Sequence, residues 1–78
     1  MTTTAERLQQ ESLRRMRWRL WFAFRDSKYP EYRNETTNGI YPNYKAIDEY
    51  CLKHWGTRIG MMTEYELSQK IAVVMRWK

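Results

Sequence analysis

The chain has few of the residues that hold small proteins together without a large core. Its 78 residues include one cysteine, Cys51, and one histidine, His54. A single cysteine excludes an internal disulfide, and one cysteine with one histidine excludes a four-ligand zinc site. We therefore expect a cytoplasmic protein that is held by its apolar core and contains no metal.

Long apolar runs are also missing. No stretch approaches the roughly 20 apolar residues of a membrane-spanning helix. The first residues have neither the basic start nor the apolar stretch of a signal peptide. Glycine occurs only three times, at separate positions, so the chain has no glycine-rich phosphate loop. A chain this short forms one domain and is too small for a cofactor-binding fold with a substrate site, so we expect neither a cofactor nor an enzyme.

The N-terminal third of the chain predicts one long helix. Thr3 and Glu6 have the spacing of a capping box, in which a hydroxyl and a carboxylate bind free backbone amides. No glycine or proline follows before Pro30, so we predict helix 1 over about 4–26. One sector of this helix is apolar and faces a core, although Arg17 falls inside that sector.

Two shorter helices are predicted in the second half. Helix 2 spans about 44–55, with Asn43 as its N-cap and Gly56 as the left-handed residue that ends it. Helix 3 spans about 64–77 and follows a second capping box, which begins at Thr63. Both helices have an apolar face, as expected for helices that pack on a core.

Together these segments predict an all-α fold, a small three-helix domain over residues 1–78 in which helix 1 packs across helices 2 and 3. We expect the inner face of helix 2 to include Tyr44 and His54, and that of helix 3 to include Met75. The residues predicted at the centre of the core are Leu20, Phe24, Ile47, Cys51, Leu67, Ile71 and Val74.

The connection between helices 1 and 2 is predicted to be a long loop over 27–42. It contains both prolines, several tyrosines and the pair Asn38-Gly39, all of which favour irregular structure. A loop of this length is either functional or mobile. A short hairpin from Tyr32 to Tyr41 is the alternative, but no alternation of apolar and polar residues flanks the turn.

The second face of helix 1 is the most unusual feature of the sequence. It combines four arginines with two aromatic residues, namely Arg14, Arg15, Trp18, Arg19, Phe22 and Arg25. The chain up to Lys28 holds seven cations against three anions, a net charge of +4 out of a total of +5. Arginines interleaved with aromatic rings suit nucleic acids, because guanidinium groups bind phosphates and rings stack on exposed bases.

Other interpretations of this face remain open from the sequence. Trp18 and Phe22 could pack beneath the tyrosine-rich loop, covered by Tyr29, Tyr32 and Tyr41, which would leave the arginines simply solvated. The face could instead dock on an acidic host protein, since arginine and aromatic residues are typical of interface hot spots. It could also form a homodimer through its two aromatic rings.

Two further patterns carry less weight. Cys51 and His54 lie one helical turn apart, but no third orienting group accompanies them, so we do not interpret them as a nucleophile and its base. Helices 2 and 3 could form a helix-turn-helix. However, the connection over 55–62 is longer than usual for that motif, and the exposed face of helix 3 is not strongly basic.

The order of the elements resembles a known protein family. The segments concerned are Arg15-Met16-Arg17-Trp18-Arg19-Leu20-Trp21, then Tyr44 to Trp55 with Gly56 after it, Met62-Thr63, and Met75-Arg76-Trp77. This pattern is similar to the C-terminal half of the GemA-type regulatory proteins of Mu-like bacteriophages, over about the last 65 of the 78 residues. The chain departs from those proteins in its tyrosine-rich loop and in having no counterpart of their N-terminal half.

The resemblance implies a small regulator from a phage or mobile element that influences host gene expression and DNA topology, and it brings no catalytic residues. Together with the basic face, it predicts a non-enzymatic regulatory protein that binds nucleic acid through helix 1. In that prediction the four arginines of the face bind phosphates, and Trp18 or Phe22 stacks on bases. The alternative is a protein–protein adaptor or inhibitor whose basic face docks on an acidic host protein.

Overall fold

The computed structural model describes residues 4–78 and contains three helices and one small sheet. The helices are α1 (Thr4–Arg25), α2 (Tyr44–Trp55) and α3 (Glu64–Met75), and the strands are β1 (Arg33–Thr36) and β2 (Gly39–Pro42). Single turns of 3-10 helix at Pro30–Tyr32 and Ile59–Met61 precede β1 and α3. The fold is therefore mostly helical. The sequence had predicted a purely all-α fold, and the small sheet departs from that prediction.

The two strands lie within residues 33–42 of the predicted loop over 27–42, so the loop prediction is wrong there and the alternative of a short hairpin is closer to the structure. They pair antiparallel, from Arg33 opposite Pro42 to Thr36 opposite Gly39. Gly39 has a φ of 140°, a conformation that residues with a side chain rarely adopt. The Thr36 hydroxyl accepts a hydrogen bond from the Asn38 amide at 3.2 Å and donates one to the Gly39 carbonyl at 2.9 Å, which closes the turn.

The lack of alternation that argued against a hairpin has a physical cause. Apolar residues alternate along a strand when one face of the sheet is buried. Here only Pro42, at the end of β2, is buried, and most other strand residues face water. A solvated hairpin needs no apolar face, so its strands leave no periodic signal in the sequence.

The predicted core is confirmed. All seven residues named from the sequence are buried, and Ala23, Ile59 and Met62 join them. Ile59 and Met62 lie in the connection between α2 and α3, where helical periodicity gives no information. Helix α1 packs chiefly against α3 and less against α2. Residues 4–11 of α1 are all exposed, so its first two turns extend beyond the core.

Aromatic rings surround the buried ring of Phe24. The centroids of Tyr32, Tyr50, Trp55 and Trp77 lie between 5.1 and 5.9 Å from that of Phe24, mostly edge to face. Burial raises the pKa of both Tyr32 and Tyr50 above the usual value for a phenol. These five rings, called the inner cluster below, extend the small apolar core to the hairpin side and to the end of the chain.

Most of the capping residues predicted at the helix ends have the predicted role in the structure. The Asn43 side chain accepts a hydrogen bond from the Ala46 amide, and Gly56 takes the left-handed conformation at φ 71°. Thr63 opens the predicted capping box on α3. The capping box proposed for helix 1 includes Thr3, which lies outside the described residues. Helices α1 and α3 end at Arg25 and Met75, one and two residues before the predicted ends.

Three residues predicted on inner faces are exposed instead: Tyr44, His54 and Met75. They lie at or near the ends of α2 and α3, where neither helix is covered on all of its inner side. The ring of His54 packs on that of Tyr50, with centroids 4.3 Å apart. Arg17, inside the apolar sector of α1, is half-buried, and its Nε has no hydrogen-bond partner among residues 4–78.

Candidate functional site

The predicted basic face lies on the side of α1 that points away from the core. Helical rotation of about 100° per residue brings all six predicted residues to this side. The two aromatic side chains are exposed, Trp18 to 40% and Phe22 to 39%, so the tyrosine-rich segment does not bury them. Its Tyr32 packs on Phe24 in the inner cluster instead.

The exposed rings form a continuous row along α1. Trp18 and Phe22 are stacked with their centroids 5.6 Å apart and their planes at 28°. The Arg25 guanidinium lies over Phe22, with Cζ 4.6 Å from the ring centroid. Tyr44 at the start of α2 meets Trp18 edge-on at 6.3 Å and Trp21 at 4.9 Å. Tyr44, Trp18, Phe22 and Arg25 are called the outer row below.

Arg25 differs from the other arginines of this face because its guanidinium group already forms hydrogen bonds within the protein. Its Nε and Nη2 donate to the two carboxylate oxygens of Asp26 at 2.9 and 3.3 Å, and Nη1 donates to the Ile40 carbonyl of β2 at 3.4 Å. These bonds join the end of α1 to the hairpin. Arg25 is therefore the member of the predicted site that is least available to a ligand.

Arg14, Arg15 and Arg19 are exposed. Within residues 4–78 none of them has an ion pair or a side-chain hydrogen bond. Arg14 and Arg15 line an open depression of 370 Å³ together with Trp18 and Glu11. Glu11 was not predicted as part of the site, although it lies one turn before Arg14 and Arg15 on the same side of the helix. It places one carboxylate beside two cations.

A second depression lies between α1 and α3, on the other flank of the outer row. It measures 210 Å³, and its lining combines apolar side chains with charges: Arg19, Phe22, Ala23, Asp26, Ile71, Met75 and Lys78. The sequence analysis missed this feature because it forms only when α3 docks beside α1. No local pattern specifies which residues of the two helices meet.

A third depression has balanced charges. It measures 510 Å³ and lies between the end of α1 and the hairpin, lined by Arg25, Asp26, Arg33, Glu35 and Ile40. Each arginine there forms an ion pair with a carboxylate, Arg25 with Asp26 and Arg33 with Glu35. It therefore adds no net charge to the positive face.

The structure bears on two further kinds of site, a cysteine nucleophile and a metal centre. The Cys51 thiol is buried, which raises its pKa to about 12, with the nearby Asp48 carboxylate adding to the effect. A thiol of such high pKa carries little thiolate, the form that acts as a nucleophile. In the described part of the chain no three His, Cys, Asp or Glu residues are grouped so as to hold a metal ion. Nor does any helix there have the length and apolarity needed to cross a membrane.

Comparison with protein-family models, with curated protein sequences and with solved structures found no match for this chain.

Proposed function

We propose that the chain is a non-enzymatic regulatory protein that binds nucleic acid through the solvent face of α1. The observation that carries the proposal is the exposed outer row flanked by Arg14, Arg15 and Arg19, which have no partner of their own among residues 4–78. Unpaired guanidinium groups are free to bind phosphate oxygens. When a base covers an exposed ring, apolar area is removed from water, and this makes binding more favourable.

The roles within the face differ. Arg14, Arg15 and Arg19 bind backbone phosphates, which gives affinity without sequence preference. Trp18 offers aromatic surface to a base. Arg25 positions Phe22 and the hairpin, and it contacts a phosphate only if it leaves Asp26. The resemblance to GemA-type regulatory proteins of Mu-like phages supports a regulatory role in a phage or mobile element.

The experiment measures binding of labelled DNA and RNA fragments by fluorescence anisotropy over a range of salt concentrations. Three free arginines predict that log K falls with log salt concentration at a slope of about −2 to −3. Reversing two of them in Arg15→Glu/Arg19→Glu should weaken binding at low salt and reduce the slope by about 2.

The matched control is Lys53→Glu/Arg76→Glu, which changes the net charge by the same amount at exposed positions outside the face. Its slope should stay close to that of the wild type. Absence of a complex with any fragment at low salt would refute the proposal, as would an equal effect of the two double variants.

A second candidate is an adaptor that docks on an acidic protein. It is favoured by the packing of Phe22 between Trp18 and Arg25, because a surface already ordered in this way can be covered without further loss of side-chain freedom. In nuclease-treated host lysate the wild type should then retain a specific partner that Arg15→Glu/Arg19→Glu loses. A homodimer through the same rings would appear as a concentration-dependent mass in sedimentation.

A further inference from the structure

The depression between α1 and α3 is lined by both apolar side chains and cations. Phe22, Ala23, Ile71 and Met75 contribute apolar side chains to it, and Arg19 and Lys78 contribute cations. It adjoins the outer row, since Phe22 belongs to both. Its volume of 210 Å³ is smaller than the roughly 300 Å³ at which pockets for drug-sized ligands begin, so a small group must fill it.

The charges favour an anionic occupant. Asp26 is the one acidic side chain among the described residues that line it, and both of its oxygens already accept hydrogen bonds from Arg25. Arg19 has no ion pair or side-chain hydrogen bond among residues 4–78, and neither has Lys78. A ligand with a small apolar body and negative groups on either side of it would therefore be complementary to the depression. An unpaired nucleotide has this form.

The apolar part of the depression distinguishes single strands from duplexes. In a duplex the bases are paired and stacked, and only their edges are accessible in the grooves. In a single strand the face of a base is free to cover apolar or aromatic side chains. We therefore propose that this depression binds an unpaired base of a single-stranded nucleic acid, while Arg19 and Lys78 bind the phosphates on either side. This inference rests on the proposed function.

The experiment compares three labelled probes of equal length: an oligothymidylate of about 12 nucleotides, an abasic strand with the same phosphates, and a duplex. Wild-type protein should bind the oligothymidylate about tenfold more tightly than the abasic strand, because the two differ only in their bases. It should also prefer the oligothymidylate to the duplex.

The variant Met75→Gln removes apolar surface from the depression without changing the charge. It should reduce the preference for the oligothymidylate over the abasic strand to less than about threefold. Val73→Gln is the matched control, because Val73 is an exposed apolar residue of α3 outside the depression. It should keep the full preference. Phe22→Leu, which removes the ring but stays apolar, should lower the preference as well.

The outcomes separate this inference from the proposed function. If the oligothymidylate and the abasic strand bind equally well and with the same salt dependence, the base site is refuted while nucleic-acid binding stands. If Val73→Gln loses as much preference as Met75→Gln, the base site is again refuted. If none of the three probes binds at low salt, the proposed function itself fails.

Discussion

Phe22 and Phe24 are two positions apart on the same helix, yet they belong to two different parts of the molecule. Phe24 is fully buried at the centre of the inner cluster, whereas Phe22 is 39% exposed in the outer row. Two residues turn an α-helix by about 200°, so one ring points into the core and the other into water. The residue type is identical, and only its position around the helix decides between a structural and a surface role.

The comparison explains how an aromatic-rich chain divides its rings. Cys51, the chain's one cysteine, is a free thiol in the core, so the fold depends on packing, and the inner cluster adds aromatic contacts around Phe24. The outer row lies outside that core and leaves part of its apolar surface in water. Apolar side chains that stay exposed to water, yet pack on one another in a fixed arrangement, are typical of surfaces that a binding partner covers.

The largest expected effect is the loss of the central ring. Phe24→Ala should lower the free energy of unfolding by about 3–5 kcal/mol, because it leaves a cavity that four aromatic neighbours cannot fill. Phe22→Ala should lower it by less than about 1.5 kcal/mol, since the ring is already partly in water. Urea unfolding followed by circular dichroism measures both. Equal losses would remove the distinction between the two regions.

The buried Cys51 thiol should react slowly until the protein unfolds. Because the pKa of Cys51 is about 12 in the folded chain against an ordinary value of 9.0, the smaller thiolate fraction should make alkylation of the native thiol near pH 9 on the order of 500-fold slower than in denaturant. The raised pKa favours the folded state below pH 9, and that contribution is lost as the pH rises towards 12. Rapid alkylation of native protein would show that this part of the core is open.

Tryptophan substitutions should separate binding from folding. Trp18→Ala is expected to weaken nucleic-acid binding by about 1–3 kcal/mol, the usual contribution of one stacking ring, and to lower the free energy of unfolding by less than about 2 kcal/mol, because the ring is partly in water. Trp77→Ala should instead destabilise the fold, because its ring packs on Phe24 and Tyr50. Anisotropy titrations and thermal melts of both variants test the contrast. If the Trp18→Ala variant binds nucleic acid as well as the wild type does, the Trp18 ring of the outer row does not contribute to binding.

The smallest effect concerns the carboxylate on the exposed side. Glu11 shares its depression with Arg14 and Arg15, so it repels a phosphate that approaches them. Glu11→Gln should strengthen nucleic-acid binding by less than about 1 kcal/mol, as expected for a solvent-exposed charge. Glu49→Gln, an exposed carboxylate on α2, is the control and should leave affinity unchanged. Affinities measured at one low salt concentration suffice.

Features that depend on a few neighbouring residues were predictable from the sequence. The caps at Asn43 and Thr63 and the helix end at Gly56 depend on hydrogen bonds or backbone angles within one turn. The core of α1 was predictable because its apolar residues recur at helical spacing. The placement of Trp18 and Phe22 on one face was predictable for the same reason, since both lie on α1, whereas Tyr44 had been wrongly predicted on the inner face of helix 2.

Features that need two distant segments were not predictable. The bond from Arg25 to the Ile40 carbonyl and the depression beside Met75 both depend on how α1 docks against the hairpin and α3. Periodicity also misplaced His54, because it reports which side of a helix is apolar but not how far the neighbouring elements extend along it. The hairpin was raised only as the alternative to a loop, because its solvated strands have no apolar side that would mark them in the sequence.

The first two turns of α1 have a consequence for its dynamics. Residues 4–11 are exposed and so are not packed on the core, and short helices without such packing are marginal in water. Amide hydrogen exchange should therefore be fast over these turns and slow from Leu20 to Phe24, where opening requires loss of the core. Arg14 and Arg15 lie at the boundary between the two regimes. A ligand held there would extend slow exchange towards the N-terminus, so its arrival could be followed at amides that it does not touch.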